Sequence, residues 1–110
     1  MTLAETASIF AETVVNNALI EKADSVGDRF SFLWSTCDEI TGLLINVAAR
    51  YDFEKDLYTQ RAEGPLNPDR LKSMMNSAWG EWYGDTLTEN NQMFWASKLH
   101  FHISGLSFYN

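Results

Sequence analysis

Apolar side chains recur at steps of three and four residues along most of the chain, which is typical of helices with one buried side. In the first segment these positions are Leu3, Ala7, Phe10 and Val14. They predict a helix from about Thr2, its N-cap, to about Lys22, with the apolar side facing an interior.

The other side of this helix carries a polar stripe of Glu5, Ser8, Glu12 and Asn16. One interpretation is a solvated side on which Glu5, three residues after Thr2, completes a capping box. The alternative is part of a binding site. Because Glu5 and Glu12 lie about 10 Å apart along a helix axis, they cannot bind one metal ion together.

The second pattern predicts one long helix from about Asp28 to about Ala62, on the order of 50 Å in length. Its apolar seam is Phe30, Leu33, Cys37, Ile40, Leu44, Val47 and Tyr51. The seam predicts that Cys37 is buried. Glu54 interrupts the pattern. Arg50, Tyr51 and Asp52 are candidate functional polar groups, but Glu54 with Lys55 and Arg50 is equally interpreted as a solvated, ion-paired surface.

Strong boundary signals define a third helix. Asn67 is a capping residue, Pro68 suits the first turn, and Gly84 suits the end. The predicted buried stripe is Leu71, Met75, Ala78 and Trp82. A last helix is predicted from about Thr88 to about His102, so we expect an all-α antiparallel bundle of about four helices in a single unit, 1–110.

Composition narrows the functional classes. The 110 residues carry a net charge of −7, which disfavours nucleic acid and anionic membranes as partners. No apolar run reaches the ~18 residues of a membrane span, and a single cysteine fits a reducing compartment. We therefore expect a cytoplasmic protein, and since the helical pattern begins at once and ends on an apolar stretch, we expect a piece of a larger domain.

Local catalytic motifs are few. His100 and His102 are two residues apart, which on a helix turns their side chains roughly 200° from each other and disfavours a shared metal. The sequence contains no HExxH, no CxxC and no glycine-rich phosphate loop. A packing role is therefore the simpler interpretation of either histidine.

Five short segments nevertheless resemble, in order and separation, the C-terminal catalytic region of oligoendopeptidase F-like zinc peptidases of the thimet oligopeptidase superfamily. The segments are 3–8, 10–12, 49–54, 82–85 and 95–101. The resemblance covers essentially the whole chain, and it implies a mostly helical peptidase domain that cleaves short peptides with zinc.

The resemblance also assigns roles. Glu5 with Ser8 matches a pattern like E-x-x-S, which implies that Glu5 is the third zinc ligand, after the two histidines of an HExxH helix. His100 matches the histidine of a W-A-x-x-x-H-F pattern, and His100 with Tyr109 would donate to the substrate oxyanion.

Two expectations remain open. As a peptidase region without HExxH, the chain should be inactive and should not bind zinc tightly by itself, although its full-length parent would. As an alternative, it is a non-catalytic helical interaction module that self-associates through apolar helix faces, as a homodimer.

Overall fold

The computed structural model describes residues 5–103 and residue 105, which fall into two compact units, 1–41 and 42–110. The described residues form helices and no strands, which confirms the all-α prediction. The α-helices are α1 (Thr6–Glu21), α2 (Val26–Thr41), α3 (Val47–Arg61) and α4 (Pro68–Tyr83); Gly42–Asn46 is a π-helical segment, and Phe94–Ser97 and Leu99–His102 are 3₁₀ turns.

Helical backbone runs without interruption from Val26 to Arg61, a stretch of 36 residues. The predicted long helix, 28–62, is therefore confirmed to within two residues. Its π-helical segment widens the hydrogen-bonding pattern by one residue just after Thr41, where the second compact unit begins.

The first unit is a pair of packed helices, α1 and α2. Ser25 starts α2, since its Oγ accepts a hydrogen bond from the Asp28 amide at 3.1 Å. Between the helices, the Asn16 side chain donates to Glu39 Oε2 at 3.1 Å. A polar contact thus joins these two packed helices.

The prediction that the apolar side of the first helix faces an interior is wrong within the described residues. Ala7 is exposed, Phe10 is 69% exposed and Val14 is 51% exposed, while Thr2 and Leu3 lie outside the described residues. Cys37 is also exposed, with most of its predicted seam. An apolar stripe is buried only where another element packs on it, and two helices packed on each other leave the outward part of each stripe uncovered.

The second unit holds the hydrophobic core, where α3 packs against α4. Its buried apolar residues are Ala49 and Phe53 from α3 and Met74, Met75, Ala78 and Trp79 from α4. Two members of the predicted α4 stripe, Met75 and Ala78, are therefore buried. Trp82 is instead 43% exposed, and its indole Nε1 donates to Asp52 Oδ2 at 2.7 Å.

The boundary signals of α4 are confirmed. Asn67 Oδ1 accepts a hydrogen bond from the Arg70 amide at 2.8 Å, and Pro68 occupies the first turn. At the other end Gly84 has φ +59°, and its amide bonds the Gly80 carbonyl at 3.0 Å. Only glycine adopts such a backbone without strain, so this residue type fixes the end of the helix.

The predicted last α-helix, 88–102, is wrong: its C-terminal part forms the two 3₁₀ turns. Backbone groups that an α-helix would use are taken by tertiary contacts, since the Asn91 carbonyl accepts from Trp79 Nε1 at 3.0 Å. The Asn91 side chain then accepts from the Met93 amide at 3.2 Å. Both contacts favour a local turn over helix propagation.

Candidate functional site

The Glu5 carboxylate lies at the start of α1 and is exposed. Ser8 Oγ lies 3.1 Å from Glu5 Oε2 and 2.9 Å from the Glu5 carbonyl oxygen, so these two acceptors share its single hydroxyl proton. The E-x-x-S spacing is thus a real contact that holds one carboxylate oxygen in place. Within the described residues, Oε1 accepts no hydrogen bond and remains available to a ligand.

The rest of the polar stripe does not converge on Glu5. Asn16 turns to Glu39 of α2, and Glu12 is exposed. In the described part of the chain, no group of three or more histidine, cysteine, aspartate or glutamate residues is arranged to hold a metal. Glu5 could therefore act as a zinc ligand only together with ligands from outside the described residues.

The two remaining predicted site residues belong to the end of the chain. His100 lies in the 3₁₀ turn Leu99–His102, whose backbone is closed by a hydrogen bond from the Phe101 amide to the Lys98 carbonyl at 3.2 Å. Tyr109 lies outside the described residues. Glu5 belongs to the first unit and His100 to the second.

A buried carboxylate on α3 is the feature that sequence reasoning missed. Glu54 is only 1% exposed, although the pattern made a solvated surface an equal possibility, and it is not without a partner. One turn earlier on the same helix, the Arg50 guanidinium carbon lies 5.9 Å from the centre of the Phe94 ring. Lys98 Nζ lies 4.5 Å from the centre of that ring. The available signal was position, because Glu54 directly follows the core residue Phe53.

An open cleft of about 220 Å³ also lies in the second unit. Its walls combine aromatic and amide side chains, and Asn46 Nδ2 lies 3.4 Å from the Tyr83 hydroxyl on one side. The lining residues are Asn46, Trp79, Tyr83, Leu87, Glu89, Asn91 and Phe94. This volume accommodates about one amino-acid side chain, below the ~300–1,000 Å³ of usual ligand pockets.

Comparisons with protein-family models, with curated proteins and with solved structures gave no match. Among the described residues, no helix is both long enough and apolar enough to cross a membrane. The geometry of the described residues therefore defines an all-α structure with an accessible carboxylate next to Ser8 in one unit and the buried carboxylate of Glu54 in the other.

Proposed function

We propose that the chain is the region of a zinc-dependent oligoendopeptidase that supplies the third metal ligand, Glu5. The supporting observation is the Glu5 and Ser8 contact, which orients one carboxylate oxygen and leaves the other accessible. A carboxylate oxygen is a normal ligand of catalytic zinc, so the donor suits the ion. The order of the five matching segments supports the family assignment.

The proposed reaction is hydrolysis of short peptides. Zinc would polarise the scissile carbonyl and lower the pKa of its bound water. Glu5 supplies one ligand, while the two histidines and the general base belong to an HExxH helix that the 110 residues do not contain. His100 and Tyr109 are proposed to donate to the oxyanion that forms at the carbonyl. The single cysteine supports a reducing, cytoplasmic setting.

Catalytic zinc needs three protein ligands, so the isolated chain should neither bind zinc tightly nor cleave peptides. Titration calorimetry with zinc checks the first point. Tight one-to-one binding that disappears in Glu5→Ala would contradict the assignment of the other ligands to an HExxH helix.

Activity is tested by combining the chain with the segment encoded directly upstream, if that segment carries an in-frame HExxH. We expect zinc-dependent cleavage of a fluorogenic peptide, reduced at least 100-fold by Glu5→Ala. Glu12→Ala is the matched control, because Glu12 is an exposed carboxylate on the same helix. Equal activity of the wild type and Glu5→Ala would refute the ligand role, and an upstream sequence without HExxH would favour the alternative below.

The alternative is a non-catalytic helical module that self-associates. It is supported by the large apolar side chains that α1 and α2 expose, among them Ile9, Phe10, Val14, Val15, Phe30 and Trp34. Exposed apolar patches of several hundred Å² are typical of interaction surfaces. Sedimentation equilibrium should then give a mass that rises toward a dimer with concentration, and Phe10→Glu should lower it. A monomer at every concentration would exclude this function.

A further inference from the structure

We infer that Arg50, Phe53 and Glu54, which lie within about one turn of α3, form a seat that fixes segment 94–102, the backbone that carries His100. This α3 seat rests on the proposed function for the catalytic role of His100, but its existence is testable without zinc or activity. Phe53 contacts Phe101 and Arg50 contacts Phe94, both within the second unit, while Glu54 is buried next to Phe53 on α3. We assign all three as positioning residues, because they act on the segment rather than on a substrate.

The first contact is aromatic and adjoins His100 directly. Phe53 is 1% exposed, and its ring meets Phe101 edge to face, with ring centres 5.5 Å apart and planes at 87°. Phe101 follows His100 in the chain, and its amide bonds back to Lys98. The residue on the C-terminal side of His100 is thus attached to the core of the unit.

The second contact holds the beginning of the segment. The Phe94 ring packs edge to face on Trp79, with centres 5.4 Å apart and planes at 89°. Two cations approach the same Phe94 ring, Arg50 at 5.9 Å and Lys98 at 4.5 Å. Lys98 belongs to the segment and Arg50 to α3, so this ring connects the segment to the helix on the N-terminal side of His100.

The shielding of Arg50 Nε supports this assignment. That atom is buried and makes no hydrogen bond within the described part of the chain, so packing against Phe94 is the defined role of the side chain there. Replacing Arg50 would then loosen the segment through lost packing as well as lost charge.

Glu54 is the third member of the α3 seat. A carboxylate at 1% exposure is costly unless it is partnered, and an apolar residue at this position would pack without that cost. Buried polar groups of this kind fix one arrangement of the elements around them when every group is satisfied. Because Glu54 directly follows Phe53, whose ring meets Phe101, we assign to Glu54 the selection of one position for this contact rather than added stability.

The test uses the 110-residue chain, with nuclear magnetic resonance of the histidine rings and amide hydrogen exchange. Glu54→Gln keeps the side-chain shape and removes the charge. Asp56→Asn is the matched control, since Asp56 is exposed on the same helix. A His102→Gln background assigns the His100 signals. We expect Glu54→Gln to shift the His100 ring resonances and to speed the exchange of amides 94–102 at least tenfold. Amide exchange in α1 and α2 should not change, and Asp56→Asn should alter neither the resonances nor the exchange rates.

A second variant, Phe101→Leu, removes the edge-to-face contact without altering α3. It should reproduce the His100 shift and the local exchange. Unchanged His100 resonances in both folded variants would overturn the inference. So would equal acceleration across α3, α4 and the segment, because that pattern reports a general loss of stability. If the His100 effects appear but the upstream combination test fails, the α3 seat stands and the proposed peptidase function does not.

Discussion

Phe53→Ala is the sharpest test of where the core of this protein lies. Phe53 is almost fully buried between α3, α4 and Phe101. Truncating a buried phenylalanine costs about 3–5 kcal/mol, from lost transfer free energy and the cavity that remains. This range includes the edge-to-face pair, which contributes about 0.5–1.5 kcal/mol beyond buried area.

That cost is large for a unit of this size. At about 0.05–0.15 kcal/mol per residue, unit 42–110 has a free energy of unfolding of only about 3–10 kcal/mol. Phe53→Ala should therefore remove at least about 30% of the free energy of unfolding, and all of it at the lower end of this range.

Urea unfolding followed by circular dichroism at 222 nm and by tryptophan fluorescence measures the effect. Three of the four tryptophans, Trp79, Trp82 and Trp95, report on the second unit. Phe10→Ala is the control with the same side-chain loss, and because Phe10 is exposed it should change stability by less than about 0.5 kcal/mol. Equal costs for the two variants, or a cost below about 1 kcal/mol for Phe53→Ala, would refute the core assignment.

Two further predictions follow from local geometry. Gly80→Ala should stabilise the protein by about 0.4–1 kcal/mol, because Gly80 is helical and an added Cβ meets no atom within 4 Å. Gly84→Ala should destabilise it by about 1–3 kcal/mol because of the positive φ, and urea unfolding that ranked the two variants in the opposite order would contradict the assigned helix end. Cys37 should react completely with a thiol reagent in native buffer, since it is exposed. Labelling that occurred only in denaturant would show that Cys37 is buried, as the sequence pattern predicts.

The local elements of the fold could be predicted because their signals act over a few residues. Asn67 and Gly84 bound α4 through one hydrogen bond and one backbone angle, both properties of the residue type. The long helical stretch follows from periodicity in the same way. The conformation of the segment after Thr88 could not be predicted, because the Asn91 carbonyl accepts a hydrogen bond from Trp79, which belongs to another helix.

In the candidate site, too, the local contact could be predicted from the sequence and the burial could not. The Glu5 and Ser8 contact is visible in the sequence, since three residues along a helix bring two side chains together. The burial of Glu54 is not visible, because exposure depends on what packs over it. The neighbouring Phe53 shows how distant such covering residues can be in sequence, since its ring meets Phe101, 48 positions later.

By itself, then, the sequence determined the helical class, the capped bounds of α4 and the serine-braced carboxylate, all of which depend on near neighbours in the chain. Tertiary structure alone decided which apolar residues form the core. Periodicity identifies an apolar stripe but not whether a partner covers it, and here the stripes of α1 and α2 are exposed while Phe53 and Glu54 are enclosed.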